Sequence, residues 1–327
     1  MTMWPLIKLL PIKTNFRFVA FARLAAIVSG VLVIASLGRA MFPFEPPCGG
    51  LACGIDFKGG AMLEVSTAPR AVDLGAARAA LSDKGLGEVQ VQAFGAPSEA
   101  MVRFQIPDGA SADATVAGVQ QSLRQALGEP ATFRPAAVVG PKVSGELLQS
   151  GIMGLGLAIL LMLVYIWFRF ELQFGVGAVV GLFHDVILTF GLIAWTGMEF
   201  SLTTIAAILT IIGYSMNDTV VVFDRLRENL RKYKKMPLGE VIDLSVNETL
   251  SRTVITGLTA VLALSGLAVF GGEALYEFSL IMIFGIVIGT YSSIYVAAPV
   301  ILLWGVRNRD EEPEVLPPMQ PRGGLQP

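Results

Sequence analysis

Six stretches of roughly 20 apolar residues dominate the chain, and each is about as long as a helix must be to cross a hydrocarbon core of about 30 Å. They run near residues 18–38, 148–168, 174–197, 200–223, 252–271 and 276–304. Lipid offers backbone N–H and C=O groups no partners, so such runs must close their hydrogen bonds internally as helices. An α-helical polytopic membrane protein is therefore expected. The composition agrees, at 54% hydrophobic and only 15% charged residues, outside the range of ordinary soluble domains. Two intervals are polar enough to be something else: residues 39–147, read as an external domain, and residues 224–248, read as a basic loop. A net charge of −2 provides no electrostatic footprint for nucleic acid.

Lysine and arginine set the orientation, because short loops rich in them stay cytoplasmic. Lys8, Lys13 and Arg17 precede the first span, Arg169 lies between the second and third, and Arg225, Arg227, Arg231, Lys232, Lys234 and Lys235 follow the fourth. All fall on one side. The turns TGMEFS and GGEALYEF carry neither residue type, so they and the 39–147 domain belong outside, with both termini cytoplasmic. The first span reads as a retained anchor, because its apolar run exceeds the roughly 7–15 residues of a signal peptide. The N-terminal segment 1–17 is cytoplasmic, and the proline-rich, charged tail 305–327 is expected to be disordered.

The external domain has its own periodicity. AMLEVST alternates as a strand does, AVDLGAARAALSDKG has helical spacing, EVQVQAF and AMVRFQI form a strand pair around GAPSE, SADATVAGVQQSLRQALG opens with a Ser or Asp cap, and PATFRPAAVVG supplies a last strand. The order βαββαβ is that of a ferredoxin-like α+β domain. It holds no histidine, nucleophile motif or metal-ligand cluster, so a binding or mechanical role is expected. Cys48 and Cys53 are the only cysteines; on an oxidising side they are either a small disulfide or two free thiols, and no metal site is expected.

A charge near the bilayer centre costs at least about 2.5–3.5 kcal/mol, so intramembrane ionisable groups mark bundle interiors or water-filled paths. Asp218, Arg252 and the pair His184-Asp185 qualify. Asp218 precedes Asp224 by six positions and Arg252 follows Glu248 by four, which sets both roughly 6–9 Å inside the basic edge at a rise of 1.5 Å per residue. Two readings stand. Asp218 and Arg252 form a structural ion pair, or Asp218 changes protonation under the control of Arg252. Asn217, Thr219 and Ser215 alongside are able to hold proton-conducting waters, and equally able to serve helix packing. His184 and Asp185 point about 100° apart on a helix, so they are expected to address different neighbours, either as a polar packing node or as a second station on a proton path.

These motifs carry a family resemblance. GIDFKGG (54–60), HDV (184–186), IGYSMNDTVVVFDRLREN (212–229), TLSRTVITGLTA (249–260) and FGGEALYEFSLIMIFGIVIGTYSSIYVA (270–297) make the chain similar to the SecF family, the smaller membrane subunits of the SecD-SecF protein-export complex, related to the RND transporters. The resemblance covers about residues 15–305. It implies a proton-driven auxiliary of the Sec protein-conducting channel in the bacterial cytoplasmic membrane, acting on preproteins that emerge into the periplasm. It assigns proton passage to Asp218 and Arg252, and makes a SecD-like subunit the partner, alongside membrane lipid. Gly54, Gly59 and Gly60 read as a hinge beneath the external domain, where Lys58 and the cysteine pair depart from the family pattern.

A small-molecule or lipid exporter of the RND class would share the six-span half and its buried aspartate, but such exporters need larger external domains to form a pocket. Neither catalysis nor ATP binding is expected, since no triad, paired carboxylate or phosphate-cradling loop appears. No cofactor is expected. The coupling ion is read as H⁺, with Na⁺ open because the same oxygens suit it.

Overall fold

A computed structural model of the chain describes residues 14–44, 47–87, 89–107 and 109–304. Lys8, Lys13 and the tail 305–327 lie outside them. A short 3₁₀ turn, Val19–Phe21, leads into α1 (Ala22–Met41), whose flanks are mostly exposed apolar residues. Beyond it, β1 (Ala52–Cys53) and the single-turn α2 (Ile55–Lys58) form a root segment. The structure joins Cys48 and Cys53 in a disulfide.

An α+β domain follows as β2 (Gly60–Ser66), α3 (Leu74–Leu81), β3 (Gln90–Phe94), β4 (Ala96–Phe104), α4 (Ala112–Leu127), β5 (Thr132–Phe133) and β6 (Ala137–Val139). Its strands lie in the order β3-β4-β2-β5, with β6 also paired to β2, and every pairing is antiparallel. Taking β5 and β6 as one interrupted final strand, this is the ferredoxin-like arrangement. Alternation explains the register: Ala61, Leu63 and Val65 of β2 and Ala100, Val102 and Phe104 of β4 face inward against Ala77 and Leu81 of α3 and Val119 and Leu123 of α4. Asp73 caps α3 by accepting from the Ala76 N–H at 2.9 Å. Two details differ from the sequence reading. GAPSE is absorbed into β4 after a turn at Gly95, and the last strand is split in two around Arg134–Ala136.

The remaining spans are α5 (Pro141–Arg169), α6 (Leu172–Thr196), α7 (Leu202–Lys232), α8 (Leu238–Phe270) and α9 (Glu273–Ser292), the last continuing through a π-helical turn, Ser293–Ala297, into α10 (Ala298–Trp304). Counting α1, and α9 with its continuation as one span, six helical segments are long and apolar enough to cross a membrane. α6, α7 and α9 form the buried centre of the bundle, whereas α1, α5 and α8 are mostly exposed. The basic loop expected over 224–248 is instead a helical hairpin with a short turn ahead of Pro237. Beneath its charges runs an apolar stripe, Leu226 on α7 and Val241, Ile242 and Val246 on α8, buried on facing sides. That stripe holds the two helices together along their charged segments.

The root segment is docked on the α6–α7 turn, where β7 (Glu199–Phe200) pairs in parallel with β1. The Gly54 N–H donates to the Phe200 carbonyl at 2.9 Å, the Leu202 N–H donates to Asp56 Oδ2 at 3.0 Å, and the Phe57 and Phe200 rings lie 5.3 Å apart. Arg103 of β4 reaches down to an ion pair with Glu199. At the opposite, basic end, Arg169 pairs with Asp224 at 2.5 Å and Arg225 with Glu248 at 2.6 Å. The chain before α1 is pinned there by Phe16 and Val19 N–H groups donating to Asn247 and Asp243.

Candidate functional site

Asp218 lies on the inner face of α7, 9% exposed, and its two oxygens are treated differently. Thr253 of α8 donates to Oδ1 at 2.6 Å, while Oδ2 is buried with no hydrogen-bond partner among the described residues. The carboxyl opens on a small cavity of about 50 Å³ walled by Tyr214, Asn217 and Arg252, with Thr256 of α8 and Thr290 of α9 opposite. Arg252 is near enough to interact with the carboxylate through space, but the two form no ion pair within 4 Å among the described residues. Its side chain is exposed, as is that of Asn217. Depth counting thus brings Asp218 and Arg252 to one cavity, and it is the neighbouring Thr253 that makes the direct bond. Adjacent residues on a helix diverge by about 100°, so when Thr253 turns inward, Arg252 turns out.

Thr219 faces away from this cavity and pairs with Ser293 at 2.9 Å. Ser215, one turn earlier, donates to Asp185 Oδ2 at 2.5 Å. Ser215 and Thr219 therefore do not border Asp218. Instead they belong to a second polar site, centred on α6. There the expectation of diverging neighbours is half right. His184 Nδ1 and Asp185 Oδ1 do bond to each other, at 2.9 Å, because both side chains lean together. Beyond that contact they diverge: His184 Nε2 meets Ser29 of α1 at 3.2 Å, and Asp185 Oδ2 also accepts from Ser292 of α9 at 2.7 Å.

Thr253, Tyr214 and Thr290 at the first site, and Ser29, Tyr291 and Ser292 at the second, were not singled out from sequence. A hydroxyl in a membrane helix is common and cheap, because it can bond its own backbone one turn back, as Thr189 does to Asp185. Only the Arg-Thr adjacency at 252–253 carried a usable signal.

At the proposed hinge, Gly59 and Gly60 adopt φ of 74° and 126°, and a side chain on Gly60 would lie 2.5 Å from the Phe104 carbonyl oxygen. Gly54 packs against the Glu199 side chain. Burial, with Glu277 and Asp56 nearby, raises the Glu199 carboxyl above the ordinary glutamate value, and Arg103 opposes that rise. Among the described residues no group of three or more His, Cys, Asp or Glu side chains is arranged to hold a metal ion.

Six spans, a ferredoxin-like domain after the first, and buried polar groups gathered between helices define a multi-pass membrane protein with a polar interior. Residues 119–307 match the family described as protein export membrane protein SecD/SecF, C-terminal. The chain is 42% identical over 311 residues to the protein translocase subunit SecF of Rickettsia akari, covering 94% of this chain and 97% of that one. It is 45% identical to the SecF of Rhodobacter capsulatus, covering 94% of each. Among solved structures, SecDF of Thermus thermophilus, described as a translocon-associated membrane protein, superposes with a TM-score of 0.78 at 33% identity. That match covers 93% of this chain and 40% of the longer SecDF chain. The chain belongs to the SecF family of protein-export membrane subunits.

Proposed function

We propose that this protein assists Sec-pathway translocation as one half of a proton-driven machine whose other half is a SecD-like subunit. The basic ends and both termini face the cytoplasm, and the ferredoxin-like domain faces the periplasm, where it meets preproteins leaving the Sec channel. The observation that carries the reading is the state of Asp218: a carboxyl inside the bundle with one oxygen held by Thr253 and the other unbonded beside a cavity. Such an oxygen is where a proton adds without displacing a hydrogen bond. The exposed Arg252 and Asn217 on the α7–α8 surface support a partner there, since polar groups facing lipid are costly. A SecD-like half covering them would enclose a path between two repeats.

Asp218 is ionised when Arg252 lies close and takes up a proton when the two separate, so that protonation and shape are linked. Asp218→Asn is nearly isosteric and should leave assembly with the partner intact while abolishing the gradient-dependent part of export in inner-membrane vesicles. Arg252→Met should do comparable damage. Collapsing ΔpH and ΔpNa separately distinguishes H⁺ from Na⁺ coupling. Wild-type, gradient-dependent export by the Asp218→Asn protein would refute the assignment.

A further inference from the structure

The geometry points to a second proton-binding site at His184, coupled to Asp218 through α9. This rests on the reading of Asp218 as a protonating group. His184 is the single histidine of the chain and is 5% exposed. Its two nitrogens are each within hydrogen-bond distance of a partner, and the partners differ in kind. Nδ1 faces Asp185 Oδ1, while Asp185 Oδ2 already accepts from both Ser215 and Ser292. When Asp185 is ionised its Oδ1 can only accept, and Nδ1 then carries the hydrogen between them.

Nε2 is the atom that can change. It faces Ser29 Oγ at 3.2 Å, Ser29 Oγ faces the Tyr291 hydroxyl at 2.9 Å, and that hydroxyl lies 3.2 Å from the Ala25 carbonyl, which can only accept. Two hydrogen arrangements satisfy Nε2 and Ser29. In the first, Tyr291 donates to Ser29 and Ser29 donates to a neutral Nε2. In the second, an added proton sits on Nε2, which donates to Ser29; Ser29 then donates to Tyr291, and Tyr291 to Ala25. The states differ by one proton, taken from water, and by the turning of two hydroxyls. No heavy atom need move.

The titratable groups facing His184 are Asp185 on its own helix and Tyr291 on α9. α1 and α7 contribute the hydroxyls of Ser29 and Ser215, and Tyr295 stacks beyond Tyr291. Ser29 and His184 also line a groove of about 970 Å³ between α1, α6 and α10, with Arg23 of α1 on its wall.

Four consecutive residues of α9 and its π-helical turn tie this site to the first. Thr290 lines the Asp218 cavity, Tyr291 closes the Ser29 chain, Ser292 bonds Asp185, and Ser293 bonds Thr219 on α7. Gly289 brings α9 close enough to α7 that a Cβ there would lie 2.9 Å from the Ser215 Cβ. A shift of α9 at either site is therefore felt at the other, and π-helical turns are frequent at such positions.

The test uses the full-length chain, ¹⁵N-labelled at its histidine and reconstituted in lipid bilayers, with the two imidazole nitrogens followed by solid-state NMR. As the pH is lowered, Nε2 should pass from unprotonated to protonated. Asp218→Asn should change the His184 proton affinity by about fivefold or more, the lower end of typical site-to-site coupling. An imidazole that keeps one protonation state throughout overturns the site, and a midpoint unmoved by Asp218→Asn overturns the coupling. Neither readout depends on export, so failure here is distinct from failure of the Asp218 assignment.

Discussion

At the scale of single residues, the Asp218 site depends on Thr253 as much as on the carboxyl. Hydrogen bonds to charged groups contribute about 1.5–3 kcal/mol, and Thr253 supplies the only one among the described residues. Thr253→Val keeps the shape and removes the donor. It should lower thermal stability in detergent and slow gradient-driven export, and Thr253→Ser should restore both; a Val variant matching wild type in both would show that the bond is idle. The sequence made Asp218 and Arg252 legible, because depth along a helix follows from counting residues. It left the direction each side chain faces illegible, because azimuth is set by which neighbour a helix packs against. Arg252 and Thr253 share a depth, and only packing decides that Thr253 faces Asp218.

At the scale of elements, the centre of the bundle is the α7–α9 contact, built on small residues that let backbones approach. A Cβ on Gly285 would lie 2.3 Å from Ile211 Cδ1, whereas one on Gly266 of α8 meets nothing within 4 Å. Gly285→Val should therefore destabilise the protein by about 1–3 kcal/mol through overpacking, while Gly266→Ala should be neutral or stabilise by roughly 0.5–1 kcal/mol through its better helix propensity. Unfolding measured in lipid or mild detergent separates the two, and equal effects would show that α9 does not pack as described. The spans themselves were legible because about 20 apolar residues admit one solution. The 224–248 hairpin was not: its charges satisfy a loop as readily as they decorate the outer face of two helices, and the buried Leu226, Val241 and Ile242 are too sparse a stripe to stand out among them.

At the scale of the whole molecule, the question is how a change inside the bundle reaches the ferredoxin-like domain. Alternating strands made that domain readable in isolation, but its seat was not, because Arg103 and Glu199 lie far apart in the chain and each looks like ordinary surface charge. Their ion pair, beside Asp56 and Glu277, puts several carboxylates against the one arginine at the α6–α7 turn. Burial raises the Glu199 carboxyl above its ordinary value of 4.5, with Arg103 opposing and Glu277 and Asp56 adding to the rise. A group whose value is higher in the folded protein than in the open chain binds its proton more tightly when folded, so the linked contribution favours the folded state. That contribution is complete below the ordinary value and is lost as pH rises through the raised one. Arg103 is the partner that the sheet domain brings, and it opposes the rise. Glu199→Gln, which mimics the protonated form, should keep the contribution at every pH. The melting temperature of the wild type in mild detergent should therefore approach that of Glu199→Gln in mild acid and fall away from it at alkaline pH. A wild type that instead loses stability relative to Glu199→Gln on acidification would reverse the sign.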